Sequence, residues 1–198
     1  MHHAINDEAL DLIFRSARTF RKWRDQPVTP QMLMAIYDLM RLGPTSSNSC
    51  PARIVFLLSK QAKERLKPHL DGGNVRQTME APATAILGYD LEFYEQFPKL
   101  RPHAPSSGDV FRTKSQADNE TFALRNASLQ GGYFIMAARA IGLDCGPMGG
   151  FSHEGVDKEF FAGTAVRSNF LCNLGYGEEP GMRPRAPRLS FDEACTIL

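Results

Sequence analysis

Ala117–Ile141, ADNETFALRNASLQGGYFIMAARAI, decides the fold. No charged side chain lies between Arg125 and Arg139. Ala123, Ala127, Ser128, Gly131, Gly132, Ala137 and Ala138 alternate with large apolar residues. Small residues let another backbone come close, yet a glycine inside a helix costs up to about 1 kcal/mol against alanine. A helix apolar nearly all round must be covered on most sides. In a chain this short the pattern predicts a long central helix that also serves a subunit interface. The competing reading is the central core helix of a monomer.

Working outward, LDCGPMGG at 143–150 reads as a short strand turning into a glycine-rich loop, with a helix at 153–162 and a buried strand over Ser168–Tyr176. Upstream, PKLRPHAPSSGDVFR at 98–112 mixes Pro, Gly and Ser and reads as a long loop or lid. Branched apolar runs predict buried strands over Ile54–Leu58 and Thr84–Tyr89. Residues 60–70 read as a surface helix. Leu10, Ile13, Phe14 and Ala17 recur at helical spacing, so 7–17 reads as a helix that Asp7 caps. Thr29 caps a second helix with Pro30 at its first position, and Gly43-Pro44 stops it. No repeat or internal boundary interrupts 1–198, which reads as a single domain.

Lysine and arginine number 23 against 22 aspartate and glutamate, for a net charge of +1. That balance predicts no broad attraction to nucleic acid or anionic lipid, so any anion site must be local. Arginines do cluster, at 15–24 and at 183–188. Cys50, Cys145, Cys172 and Cys195 form no C-x-x-C pair, and a reduced, cytoplasmic setting is expected. The start MHHAINDEALDLIF lacks the form of a signal peptide, and no run is long and apolar enough for a membrane span. His2 and His3 are set aside from site reasoning.

Several enzyme classes lack their motifs. There is no Walker A loop and no G-x-G-x-x-G. There is no G-x-S-x-G elbow. No tyrosine has a lysine four residues on. His153-Glu154 begins like a zincin motif, but Asp157 replaces the second ligand, and no metal site is expected.

Four stretches carry chemistry. Arg18-Thr19-Phe20-Arg21-Lys22-Trp23 offers guanidinium forks and a hydroxyl, the donors a terminal phosphate needs. Thr45-Ser46-Ser47-Asn48-Ser49 is a row of small hydrogen-bonding groups suited to a polyhydroxyl chain or a heteroaromatic edge. Pro147-Met148-Gly149-Gly150 can bring backbone N–H groups against a flat ring. Arg183, Arg185 and Arg188 sit in a proline-stiffened tail, and Leu189, Phe191 and Leu198 suggest that the tail docks. Taken singly, each also reads as an ordinary charged turn, polar loop, tight turn or basic tail.

Their order is the stronger signal. RTFRKWRDQPV, a helix, GPTSSNSCP and the strand Ile54–Leu58 together resemble the opening of the nitroreductase family. The glycine-rich loop after the long helix and the basic C-terminal stretch follow in the same order. Within the family, ARTFRKWRDQPV, GPTSSNSCPARIVF, NLGYG and PRLSFDEA are similar to the malonic semialdehyde reductase subgroup of pyrimidine degradation.

The resemblance implies an α+β fold: a central mixed β-sheet flanked by helices, with the long helix at a two-fold homodimer interface. It implies FMN at that interface and NADH or NADPH as electron donor. Arg18, Thr19 and Arg21 match the phosphate stretch, with Lys22 an alternative to Arg21. Ser46, Ser47 and Asn48 match the loop that meets the ribityl chain and ring. Pro147, Met148, Gly149 and Gly150 match the loop facing the ring, and backbone N–H groups at Met148–Gly150 are the candidate donors to flavin N5. Arg183 and Arg185 match the late basic residues. Where many members carry glutamine and tryptophan around the loop proline, this chain has Cys50 and Ala52, so a smaller, less aromatic pocket is expected. For a carboxylate substrate Arg101 or Arg112 is available, and His103 is a candidate proton donor. The resulting expectation is an NAD(P)H oxidoreductase acting by ping-pong hydride transfer on a small aldehyde. A broad nitro, quinone or flavin reductase and a non-catalytic flavin-binding dimer are the competing readings.

Overall fold

The computed structural model describes residues 4–178, 182 and 184–198. The chain opens with α1 (Asp7–Leu10), continued by a π-turn over Asp11–Arg15. The cap is Asn6 rather than Asp7: its side chain accepts the Ala9 N–H at 3.0 Å. Helix α2 (Pro30–Met40) is capped by Thr29 as expected. Strand β1 (Ala52–Leu57) leads to α3 (Lys60–Leu66), then α4 (Gly72–Glu80) and β2 (Ala83–Asp90). Short helices α5 (Phe97–Leu100) and α6 (Asp109–Arg112) follow, then α7 (Gln116–Ala140). The chain closes with β3 (Asp144–Met148), α8 (His153–Phe160), β4 (Val166–Gly175) and α9 (Phe191–Ala194).

The strands form one sheet in the order β1-β2-β4-β3, and every pair is antiparallel. The expected mixed character is confined to the β3 edge, where Thr19 bridges Cys145 in parallel. Both faces of the sheet are covered. Ala83, Ala85, Leu87, Cys172 and Leu174 pack under Ile36 and Met40 of α2 and Phe134 and Ala138 of α7. Ile86, Leu57 and Leu171 pack on the other side against Leu66 of α3 and Val156 of α8.

Helix α7 is long and central, but within one chain it is covered on one side only. Asn119, Ala123, Asn126, Ala127, Gln130, Gly131, Phe134, Ala137 and Ala138 are buried, a spacing of three and four that marks a single face. The two glycines have separate roles. A Cβ on Gly131 would lie 2.5 Å from the Phe170 ring, whereas one on Gly132 would meet nothing within 4 Å. The outward face carries Leu124, Ser128, Leu129 and Gly132, with both leucines exposed.

Two segments differ from the sequence expectation. Residues 98–112 are not an open loop but short helical turns. Phe93, Phe97 and Phe111 are buried in an aromatic cluster with Tyr89 and Ala123, and Phe122 stacks on Phe93. Helix α4 opens on Gly72-Gly73, carries only Val75 and Met79 as larger apolar side chains, and is missed by sequence reading. Among the described residues, no helix is long and apolar enough to cross a membrane. Cys50, Cys145, Cys172 and Cys195 are all free thiols.

Candidate functional site

The basic stretch 18–24 runs along the β3 edge. Phe20 donates its N–H to the Cys145 carbonyl at 3.1 Å, and Arg24 N–H reaches the Tyr176 carbonyl at 2.8 Å. Gly146 is required at this seam, because a Cβ there would stand 2.7 Å from the Phe20 carbonyl oxygen. The seam therefore brings the arginines of the N-terminal region beside β3, the strand that leads into the glycine-rich loop.

The C-terminal tail closes the same space. Arg185 Nη2 donates to the Arg15 and Ala17 carbonyls, both at 2.7 Å. A cavity of about 580 Å³ results, whose lining includes Arg18, Thr19, Arg21, Lys22, Arg139 and Arg185. Arg188 also lines it, with Glu178 as its acidic member. Arg183 lies outside the described residues. Arg21 and Lys22 share the cavity wall, so both sequence alternatives remain in place there. Arg139, which in the sequence only ends the apolar run, is an unforeseen member of this wall. Its Nη1 holds the Ile13 carbonyl at 2.9 Å, and its buried Nε has no hydrogen-bond partner.

The glycine-rich loop follows β3 directly. The Gly150 carbonyl accepts from Asp71 N–H at 3.1 Å and from Asn74 Nδ2 at 2.8 Å. By contrast, the N–H groups of Gly149 and Gly150 have no acceptor among the described residues. Asn74 and Gln77, on α4, carry no motif that sequence reading could use. Gln77 Nε2 donates to Asn74 Oδ1 at 2.5 Å, and the Gln77 carbonyl accepts Trp23 Nε1 at 3.0 Å. Helix α4 thus ties the basic stretch to the glycine-rich loop. A Cβ on Gly150 would stand 2.6 Å from Asn74 Nδ2, so only glycine fits without displacing that amide. Behind β3, a hydrogen bond with Cys145 and complete burial push the Cys172 thiol well above its usual pKa, so it stays protonated and unreactive.

Ser46, Ser47 and Asn48 form a tight turn that enters β1, at the opposite edge of the sheet from β3. Three spacings between strands separate those edges, roughly 14 Å. One chain therefore does not bring this loop to the basic cavity. The turn is conformationally costly, because Ser47, Asn48 and Cys50 all have positive φ, at 55°, 50° and 41°. Side chains from α7 hold it: Ser46 N–H donates to Asn126 Oδ1 at 2.7 Å and Ala52 N–H to Gln130 Oε1 at 2.9 Å. Arg53 adds a further tie, donating to the Cys50 carbonyl at 3.1 Å while paired with Asp90 at 2.6 Å.

The nitroreductase family model matches residues 14–176. The chain belongs to the nitroreductase family. Two similar nitroreductase relatives share the name "Putative NADH dehydrogenase/NAD(P)H nitroreductase". The protein from Stenotrophomonas maltophilia is 52% identical over 197 residues, and that from Leptothrix cholodnii 48% over 198, each covering 100% of both chains. The FMN complex of a "putative nitroreductase" from Exiguobacterium sibiricum has the same fold, with a TM-score of 0.87, 18% identity and 100% coverage of both chains.

Proposed function

We propose that this nitroreductase-family chain is an FMN-dependent NAD(P)H oxidoreductase that works as a homodimer. The observation that carries the reading is the basic cavity: Arg18, Thr19, Arg21 and Arg185, more than a hundred and sixty positions apart at the extremes, face one space. Several guanidinium groups around one small hydroxyl suit a phosphate dianion. The buried, unpartnered Nε of Arg139 fits the same anionic occupant. The names of the relatives and the FMN complex of the fold neighbour support the choice of cofactor and electron donor.

Arg18, Thr19, Arg21, Arg183 and Arg185 would hold the phosphate. Pro147, Met148, Gly149 and Gly150 would lie against the ring, with the Gly149 and Gly150 N–H groups as donors toward N5. When bound, FMN supplies the hydride chemistry, between NADH or NADPH and a second substrate. Ser46, Ser47 and Asn48 would meet the ribityl chain and ring edge from the second copy, since one chain holds them at the far sheet edge. The exposed leucines on the outward face of α7 support that pairing.

The substrate reading is a small aldehyde such as malonic semialdehyde, reduced to 3-hydroxypropionate in a cytoplasmic pyrimidine-degrading setting. The subgroup motifs support it, and Cys50 and Ala52 around Pro51 offer no aromatic ring on which a large aromatic acceptor would stack. Broad reduction of nitro compounds and quinones is the second reading; the name NAD(P)H nitroreductase carried by the relatives supports its nitro part. Purified protein is expected to be yellow, dimeric by mass in solution, and bleached by NADH or NADPH without oxygen. Turnover of malonic semialdehyde against a nitroaromatic separates the two substrates. A colourless monomer that takes up no FMN overturns the cofactor reading, and a flavin left unreduced makes the chain a non-catalytic binder.

A further inference from the structure

The Ser46–Asn48 turn and the end of α5 form one unit. Asn48 Nδ2 donates to the Leu100 carbonyl at 2.9 Å. The next residue, Arg101, closes α5 with its N–H on the Phe97 carbonyl at 2.7 Å. Its guanidinium lies over the Phe97 ring, 5.6 Å from the centroid. Phe97 is fully buried and packs edge-on against Phe111, so this platform is fixed. Stacking on a ring occupies the face of a guanidinium and leaves its in-plane N–H fork available to a planar anion.

Among the described residues, no carboxylate pairs with Arg101. The other arginine of this segment is neutralised. Arg112 binds Glu95 through two N–H groups, lies 3.6 Å from Asp109 and stacks over Tyr94. A positive group that is stacked, unpaired among the described residues and one residue from the anchor of the candidate ring-binding loop has the chemistry to receive a carboxylate.

We propose that Arg101 binds a carboxylate of the oxidised substrate, so that small oxo-acids are preferred over neutral carbonyl compounds. This deepens the oxidoreductase reading and rests on it for the reaction. The carboxylate site itself is tested by binding alone.

The probes are benzoate for binding, and para-nitrobenzoate against para-nitrobenzamide for turnover, two acceptors with one reactive group and different charge. The FMN-loaded wild type is expected to bind benzoate by calorimetry and to favour para-nitrobenzoate in kcat/KM. Arg101→Gln weakens benzoate binding, and lowers the ratio of kcat/KM for the two acceptors, by roughly ten- to a hundredfold, the effect of one charge-assisted contact. Arg101→Lys, which keeps the charge without the fork, falls between. Arg65→Gln, the comparator on the exposed surface of α3, keeps the wild-type ratio. No benzoate binding in the wild type, equal binding in Arg101→Gln, or an unshifted acceptor ratio overturns the assignment. Benzoate binding that depends on Arg101 without turnover of either acceptor upholds the site and fails the oxidoreductase reading instead.

Discussion

Asn126, buried in the middle of α7, accepts the Ser46 N–H at 2.7 Å. The same amide donates to the Phe122 carbonyl at 2.9 Å, which fixes its orientation. This buried polar group therefore sets the candidate ligand loop against the helix expected to lie between two copies. Replacing it with a shape-matched apolar residue leaves the part-buried Ser46 N–H without a partner, at about 1–3 kcal/mol. Asn126→Leu is expected to lower stability to chemical denaturation by that amount and to weaken FMN binding at least tenfold. Unchanged flavin affinity in a destabilised variant would separate the Ser46 loop from the ligand.

Arg18 and Arg185 line one cavity in different ways. Arg185 has one nitrogen committed to the Arg15 and Ala17 carbonyls, so it shapes the wall as well as charging it. Arg18→Ala is expected to weaken FMN affinity, measured by equilibrium dialysis of the deflavinated protein, by about 1.5–3 kcal/mol, as for the loss of one charge-assisted hydrogen bond. Arg185→Ala should lower affinity and also loosen Arg15–Ala17, seen as faster amide exchange there. An Arg18→Ala protein with wild-type flavin affinity removes that residue from the phosphate site.

The Ser47 backbone has φ 55° and ψ 24° with no glycine to absorb it. Such strain costs of order 1–3 kcal/mol and persists where other contacts over-determine the loop. Ser47→Gly relieves it in the folded state but widens the unfolded ensemble. The net expectation is a gain of roughly 0.5–1 kcal/mol in denaturation stability. FMN affinity falls at the same time if the hydroxyl contacts the ligand. A stability loss would show that the hydroxyl, not the backbone, governs this turn.

The parts legible in the sequence were those with a period. The run from Arg125 to Arg139 produced α7 within one residue at either end, and the branched runs produced β1, β2 and β4. Helix α4 escaped because it opens on Gly72-Gly73 and offers little apolar side chain; Trp23 and Gly150 anchor it from distant parts of the chain. The 98–112 segment escaped for a related reason. Its order comes from Phe93, Phe97, Phe111 and Phe122, whose spacing follows no single helix or strand. The site residues were visible as residue types, but their grouping was not. That Arg18 and Arg185 meet while Ser46 stays at the far edge follows from strand order, a property of pairing between remote segments.

Lys63 gives the pH prediction. It is only 5 % exposed, and its Nζ donates to the Ala81 carbonyl just past the end of α4. Burial lowers its pKa from the ordinary lysine value, and no carboxylate is paired with it among the described residues. A lowered lysine pKa means the unfolded chain binds the proton more tightly than the native one. At neutral pH the buried ammonium therefore carries its full penalty. The penalty is relieved as pH rises from the lowered native value toward the ordinary value of 10.5. Native stability relative to Lys63→Met should thus increase with pH across that window, the reverse of a lysine held by an ion pair. Denaturant titrations of both proteins at pH 7 and pH 10 measure the difference. A difference that is flat or falls with pH would mean that an anionic group keeps Lys63 charged in the native protein.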